Sequence, residues 1–135
     1  LLAPTLRANA FEAYLAGLME NVGLVVAFRL IDQLYPDDAL PRSDAFIAGL
    51  FAQCRIVSAR IAALWEFPDT VASAIEFAGQ PGCSAVAQAL ALGDRVSKLR
   101  MLVDAVQFTP DDPFVFQGLD KAALSCFDKL ADEEE

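Results

Sequence analysis

The stretch that decides the fold is Asp44–Trp65, which reads DAFIAGLFAQCRIVSARIAALW. Its apolar residues recur every three or four positions for about five turns, which is the period of an α-helix. This stripe consists of Ile47, Leu50, Phe51, Cys54, Val57, Ile61, Leu64 and Trp65. The spacing predicts a long helix that begins at Ser43 or Asp44, ends before Pro68 and turns this stripe toward the core.

The same period continues on the N-terminal side. A first helix is predicted to follow Asn9, which is a favourable N-cap residue. Its core-facing stripe is predicted to consist of Phe11, Tyr14, Leu15, Leu18 and Met19. A second helix over residues 22–34 is apolar on nearly all sides, which predicts a central position against several other helices. The two prolines within residues 35–43 predict a loop before the long helix.

On the C-terminal side, proline and glycine separate three further predicted helices. Pro68 predicts the first position of a short helix over residues 68–77, which the sequence Gly79-Gln80-Pro81-Gly82 ends. A fifth helix is predicted from Ser84 to about residue 106. The last is predicted over residues 120–130, with an inward face made of Leu124, Phe127 and Leu130.

Two segments near the C-terminus are predicted to lie outside these helices. Residues 108–118 contain two prolines that break any helix, and their apolar run Phe114-Val115-Phe116 is expected to dock on the core or to present an interface. Residues 132–135 are predicted to be a solvated acidic end. Together with the helical spacing, these features predict an all-α protein, a compact bundle of about six helices.

The 135 residues fit one domain, residues 1–135, which can bury roughly two-thirds of its unfolded surface. The chain begins Leu1-Leu2-Ala3-Pro4-Thr5, without an initiator methionine and without the pattern of a signal peptide. This start predicts that the chain begins inside a longer protein. No internal repeat or linker divides it.

Composition disfavours several classes of function. Ten basic and 19 acidic residues give a net charge of -9, which opposes binding to nucleic acid and to anionic membranes. The chain has no histidine, and therefore lacks the usual general base and the commonest metal ligand. Its three cysteines have no zinc-like spacing and predict a reduced, cytoplasmic chain. The uninterrupted apolar runs fall short of the ~18 residues that span a bilayer, and neither a membrane partner nor a cofactor is predicted.

Four residues are candidates for a site. Asp94 is predicted to lie on an otherwise apolar helix face. It is either a metal ligand or ligand-binding carboxylate, or a half-buried acid paired with an arginine or with backbone donors. Glu20 and Asn21 lie where two predicted helices meet, either pointing into a cleft or capping helix ends. Cys54 is interpreted as a plain core residue, because free cysteine packs as a small hydrophobe.

Three basic residues follow Asp94 on the predicted fifth helix, namely Arg95, Lys98 and Arg100. Charges spread along a long helix are typical of a solvated face, and a phosphate-binding site is the alternative. The chain has no Gly-rich phosphate loop, nucleophile elbow or Cys-x-x-Cys pair. Motifs alone therefore indicate no class of enzyme.

Three segments together resemble a known family. Ala13–Gly23, AYLAGLMENVG, resembles the segment "FLAGLLHDIG" of the HD phosphohydrolase superfamily, whose His-Asp doublet binds metal. Ile61–Asp69, IAALWEFPD, resembles the segment "LLERWGLPE" of the HDOD branch, and the register continues to Gly79. Ala89–Arg95, ALALGDR, is similar to "HLADRL", whose aspartate is the final metal ligand. The resemblance covers about residues 1–104 and implies an all-helical fold that usually follows a further helical half. It therefore also implies that this chain is the C-terminal part of a longer protein.

The resemblance also implies where this chain departs from the family. The His-Asp doublet is replaced by Glu20-Asn21, and family histidines are replaced at four positions, Cys54, Ala78, Gly79 and Ala91. Asp94 is the one ligand position that is retained. Oxygen and thiol donors cannot replace an imidazole set for a transition metal, and Mg²⁺ held by Glu20, Asp94 and water is the remaining possibility.

These departures favour a non-catalytic reading of the family resemblance. The leading hypothesis is a bacterial signal-transduction or regulatory output domain that binds a protein partner or the rest of its parent chain, with a degenerate active site. A second hypothesis is a residual Mg²⁺-dependent phosphohydrolase that uses Asp94 and Glu20. A third is a small ligand in the cleft of the lost metal site, with Glu20, Asn21 and Asp94 as polar contacts.

Overall fold

The computed structural model describes residues 1–35, 40–105 and 116–132. Within these residues the chain is all-helical, which confirms the predicted fold class. Six helices follow one another in the described residues: α1 (Ala10–Met19), α2 (Val22–Leu34), α3 (Asp44–Leu64), α4 (Asp69–Phe77), α5 (Ala85–Asp104) and α6 (Lys121–Asp132). Four predictions fall partly outside the described residues: the 35–43 loop, the end of the fifth helix at about residue 106, the 108–118 segment up to residue 115, and the acidic end beyond residue 132.

Side-chain caps explain where three of the helices begin. The Asn9 side chain accepts hydrogen bonds from the backbone N–H groups of Phe11 and Glu12, at 3.0 and 3.1 Å. Ser43, rather than Asp44, caps α3, and Ser84 caps α5. Each cap pairs backbone donors that the first helical turn leaves without a helical partner.

Two apolar clusters meet along α5. The larger one joins α1, the second half of α3, α4 and the first half of α5, and its members include Ala16, Ala62 and Ala74, which are fully buried. The smaller cluster joins the second half of α5 to α6, where Phe116 meets Phe127 edge to face at 5.1 Å between ring centroids. Phe116 therefore docks on the core of its own chain.

The predicted central position of α2 is wrong. Among the described helices, α2 packs extensively against one neighbour, α3. Of its 13 residues, all of them described, Gly23 alone is buried. Val25, Phe28 and Leu34 are exposed by 61%, 52% and 71%. An all-round apolar pattern shows that a helix has no distinct polar face, but it does not determine which other helices pack against it.

Several predicted core-facing residues also point to solvent. On α1 the buried residues are Ala16 and Met19, whereas Phe11, Tyr14 and Leu18 are exposed. Four residues of the predicted α3 stripe, Ile47, Phe51, Leu64 and Trp65, are exposed, and so is Leu124 on α6. Met19, Cys54 and Phe127 are buried as predicted. The helical period was right, and the predicted core-facing residues were right only in part.

Two stretches of the described residues are long and apolar enough to cross a bilayer by length and composition, Ala10–Leu34 and Asp44–Leu64. Core helices of soluble proteins also meet this criterion, and one or two such helices are weak evidence of a membrane span. The predicted absence of a membrane partner therefore stays a prediction. What the two stretches share is low burial, at 17% and 22% of their apolar windows.

Candidate functional site

A cavity of about 430 Å³ opens where the α1–α2 junction faces α3, the end of α4 and the middle of α5. Its wall is apolar in large part and its polar groups carry both signs of charge. The lining residues are Glu20, Asn21, Leu24, Phe51, Cys54, Arg55, Ile75, Ala78, Gly79, Ala91, Asp94 and Lys98. A concave apolar wall with a few polar groups is the usual form of a ligand site.

A buried serine fixes the α1–α2 junction at the edge of this cavity. Ser58 on α3 is fully buried, and its hydroxyl donates to the backbone carbonyl of Glu20 at 2.8 Å. The same oxygen accepts a hydrogen bond from the backbone N–H of Gly23 at 2.7 Å. One side chain thus pairs a carbonyl and an N–H at the helix break, where both would otherwise lack a partner. The position of Glu20 is set by this contact.

Glycine is required at the first turn of α2 because the backbone of α3 is in the way of any side chain. A Cβ atom at Gly23 would lie 2.1 Å from the carbonyl oxygen of Cys54 and 2.7 Å from the Ser58 hydroxyl. Neither obstacle is the flexible end of a long side chain. The close approach of α2 to α3 therefore depends on Gly23, and so does the shape of the cavity.

Glu20 is the most perturbed acid of the cavity. Its pKa is raised from the ordinary 4.5 to about 7, first by burial and second by the neighbouring charge of Asp94, while the charges of Lys98 and Arg55 lower it in part. Desolvation disfavours the charged carboxylate, and a second carboxylate nearby acts in the same direction. Near neutral pH the Glu20 side chain can therefore act either as a hydrogen-bond donor or as an anion.

Asp94 is half-buried and paired. Lys98 Nζ donates to Asp94 Oδ2 at 2.6 Å across one helical turn. This is the paired-acid alternative, with a lysine as the partner in place of the expected arginine or backbone group. The ammonium group also lies at the cavity, where it partly neutralises the carboxylate that would have to hold a cation.

The other two basic residues of α5 have structural partners. Arg95 donates to the backbone carbonyl of Gln117 at 2.7 Å. Arg100 pairs with Asp104, and its guanidinium lies 4.8 Å from the centroid of the Phe127 ring. The hydrogen bond from Arg100 lowers the pKa of Asp104. Arg95 and Lys98 are exposed, in keeping with the predicted solvated face, and Arg100 is partly covered by α6.

Cys54 is buried, as predicted for a core residue, with 5% of its surface exposed. Burial raises the pKa of its thiol. Because the thiolate is the reactive form of cysteine, this environment disfavours both nucleophilic attack and metal ligation. Cys54 contributes apolar wall to the cavity.

The seven positions singled out by the family resemblance all line this cavity: Glu20, Asn21, Cys54, Ala78, Gly79, Ala91 and Asp94. Sequence reasoning missed Leu24, Phe51 and Ile75 in the wall and the cavity position of Arg55 and Lys98. Lys98 had a local signal, since it follows Asp94 by four residues on one helix. Nothing local in the sequence indicates Arg55, an exposed residue that lies at the cavity beside the buried Cys54.

The donor set does not fit the metal that the resemblance implies. Within the described ranges 1–35, 40–105 and 116–132, no group of three or more histidine, cysteine, aspartate or glutamate residues is placed to hold a metal ion. The cavity offers two carboxyl groups, one partly neutral at pH 7 and the other paired with Lys98. Metal ligation needs both deprotonated and available.

Comparison with family models, with curated proteins and with solved structures found no match to this chain. The resemblance to the HDOD branch therefore rests on the three sequence segments themselves.

Proposed function

We propose that this chain is a non-catalytic, HDOD-like regulatory domain that acts by binding a protein or a small ligand at the cavity beside Glu20 and Asp94. The observation that carries the proposal is the convergence of the seven family positions in one cavity, without the imidazole groups that would bind metal. The fold class agrees with the resemblance. A cytoplasmic, bacterial signalling role is part of the same proposal and rests on the resemblance alone.

The cavity has the properties of a binding site for a compact, partly polar group. Leu24, Ile75 and Ala91 supply apolar wall, and burial of apolar surface there contributes about 25 cal/mol per Å². Asn21 can donate and accept, and Glu20 changes from donor to acceptor near neutral pH. Charges of both signs at the cavity favour a ligand with its own donors and acceptors over a simple ion.

A thermal-shift screen against nucleotides and other small polar metabolites tests the proposal. A ligand of the cavity is expected to raise the melting temperature of the wild type by about 10 °C at about 100 times its Kd. The shift is lost in Asp94→Ala and kept in Asp69→Ala, which removes an acid on α4 that does not line the cavity. A ligand whose shift survives Asp94→Ala would contradict binding at this cavity.

A residual Mg²⁺-dependent phosphohydrolase is the second candidate, because Glu20 and Asp94, the two oxygen ligands it would need, line the same cavity. Under the binding proposal, phosphoester hydrolysis with Mg²⁺ stays at the level of a no-protein blank for both the wild type and Asp94→Ala. Turnover by the wild type that Asp94→Ala abolishes would establish the enzyme and refute the binding-only role.

A further inference from the structure

Four large apolar side chains form a strip along the outside of α1 and α2. Phe11, Tyr14, Leu18 and Val25 are exposed by 67%, 62%, 57% and 61%. These four residues are called the outer seam. Their spacings of three, four and seven residues repeat the a and d positions of a heptad, which line one side of a helix that packs against another helix.

The burial pattern indicates that the seam continues across the break between α1 and α2. The buried residues Ala16, Met19 and Gly23 follow at spacings of three and four, so that both helices turn the same side toward the body of the protein. The outer seam lies on the other side. No charged residue falls on the seam side between Phe11 and Val25, because Glu12 and Glu20 lie outside the strip by their helical positions. One polar residue, the exposed Asn21, occupies the heptad position between Leu18 and Val25. An exposed strip that is otherwise apolar is typical of an interface.

We infer that the outer seam packs against the outer seam of a second copy of this chain, related by a two-fold axis. The exposed area supports this occupant. If a large apolar side chain has about 150–250 Å² of surface, the four residues expose roughly 500 Å². A stable interface buries about 800 Å² per partner, of which about 65% is apolar in homodimers, and this share is also roughly 500 Å².

Like charge is the main objection to a second copy. The net charge of -9 makes two copies repel each other. Residues 10–34 carry two of these nine net charges, from the acids Glu12, Glu20 and Asp32 and the base Arg29, which is close to their share of the chain by length. None of these four residues belongs to the outer seam, so an isologous contact there brings apolar side chains together.

This inference goes beyond the proposed function and does not depend on it. The residues of the outer seam do not line the cavity. Dimerisation and ligand binding can therefore fail separately.

Sedimentation velocity over about 1 to 200 µM protein tests the inference, because this range covers the affinities of moderate dimers. The wild type is expected to shift from monomer to dimer as concentration rises. Leu18→Glu places two charges in the seam of each dimer and is expected to weaken it by at least about 100-fold. The Leu18 side chain is more than half exposed, so circular dichroism should show unchanged helix content.

Met101→Glu is the matched control. Met101 on α5 is exposed by 65%, and it lies outside the outer seam. The same change of an exposed apolar residue to glutamate is expected to leave the dimer intact. A dimer that Met101→Glu breaks, or one that survives Leu18→Glu, would overturn the assignment of the seam.

Salt provides a second readout. Because the contact is apolar and the copies carry like charge, raising the salt from about 50 to about 500 mM is expected to tighten the dimer several-fold. A dimer that weakens in salt would indicate ion pairing and overturn the inference. A wild type that stays monomeric up to about 200 µM would overturn it as well. Binding of that monomer to neutral phosphatidylcholine vesicles would then indicate a lipid surface as the partner of the seam.

Discussion

Helices α2 and α4 are both short and apolar, yet the fold treats them in opposite ways. On α4, Val71, Ala74 and Ile75 are buried to 1% exposure or less. On α2, Gly23 alone is buried, and the larger side chains face outward. The difference comes from the neighbours: α4 packs against α1, α3 and α5, whereas α3 is the one described helix against which α2 packs extensively. Apolar content predicts that the side chains of a helix gain stability from burial, and the surrounding helices determine whether they are buried.

The largest effect is expected from shortening a buried side chain on α4. Ile75→Ala should lower the free energy of unfolding by about 2–5 kcal/mol, because it removes a buried side chain and leaves a cavity. Leu30→Ala on α2, where the side chain is 51% exposed, should cost less than about 1 kcal/mol. Denaturation in urea measures both. Similar losses in the two variants would contradict the comparison.

The second effect concerns the one point where α2 is tightly held. Gly23→Ala should lower the free energy of unfolding by about 3 kcal/mol, because its Cβ would collide with the carbonyl oxygen of Cys54. Gly17→Ala on α1 is the matched control, since a Cβ there meets nothing within 4 Å. It should stabilise the helix by about 0.5–1 kcal/mol. Equal effects of the two substitutions would refute the close approach of α2 to α3.

The third effect separates hydrogen bonding from packing at the same point. Ser58→Ala should cost about 1–3 kcal/mol, because it leaves the Gly23 N–H and the Glu20 carbonyl without their partner. Ser73→Ala, at an exposed position on α4, should change stability by less than about 0.5 kcal/mol. Thermal or urea unfolding is the measurement. A neutral Ser58→Ala would show that the junction does not depend on this hydroxyl.

The smallest effect depends on pH. The pKa of Glu20 is raised from 4.5 to about 7, so the folded state binds a proton that the unfolded state has lost between these values. The free energy of unfolding should therefore fall as pH rises from about 4.5 to about 7. At pH 8 the free energy of unfolding of Glu20→Gln should exceed that of the wild type by roughly 1–2 kcal/mol. This is less than the full pKa shift would give, because the carboxyl group is partly exposed to solvent.

The gain of Glu20→Gln should disappear near pH 4, where the wild-type side chain is protonated in both states. Glu76→Gln, an exposed acid on α4, is the control and should give a difference that changes little with pH. Chemical denaturation across this pH range measures both variants. A gain for Glu20→Gln that is the same at pH 4 and pH 8 would contradict the burial of Glu20.

The features that sequence could predict are those fixed by neighbouring residues. Asn9 and Ser84 cap helices as expected, since a cap involves the next two or three residues only. Pro68 illustrates the limit of such local signals. It was predicted as the first helical residue and is the N-cap of α4, one position earlier than the helix itself. Boundaries shift by a residue because adjacent positions satisfy the same rules.

The features that sequence could not predict depend on distant parts of the chain. Trp65 continues the apolar period of α3, but the other elements leave it 62% exposed. Ser58 joins α3 to the α1–α2 junction across 35 and 38 residues, and no local pattern marks such a partner. The grouping of Glu20, Cys54 and Asp94 in one cavity was implied by resemblance rather than by periodicity. Arg55 is part of the same cavity without any such signal.

Metal content is the measurement that tests the non-catalytic binding role most directly. The protein is purified without chelator and analysed for metals by elemental analysis, and the analysis is repeated on Asp94→Ala. We expect no stoichiometric metal in either sample, because the cavity has two carboxyl groups, no imidazole and a lysine paired with Asp94. One metal ion per chain that is lost in Asp94→Ala would contradict this account and establish a working metal site.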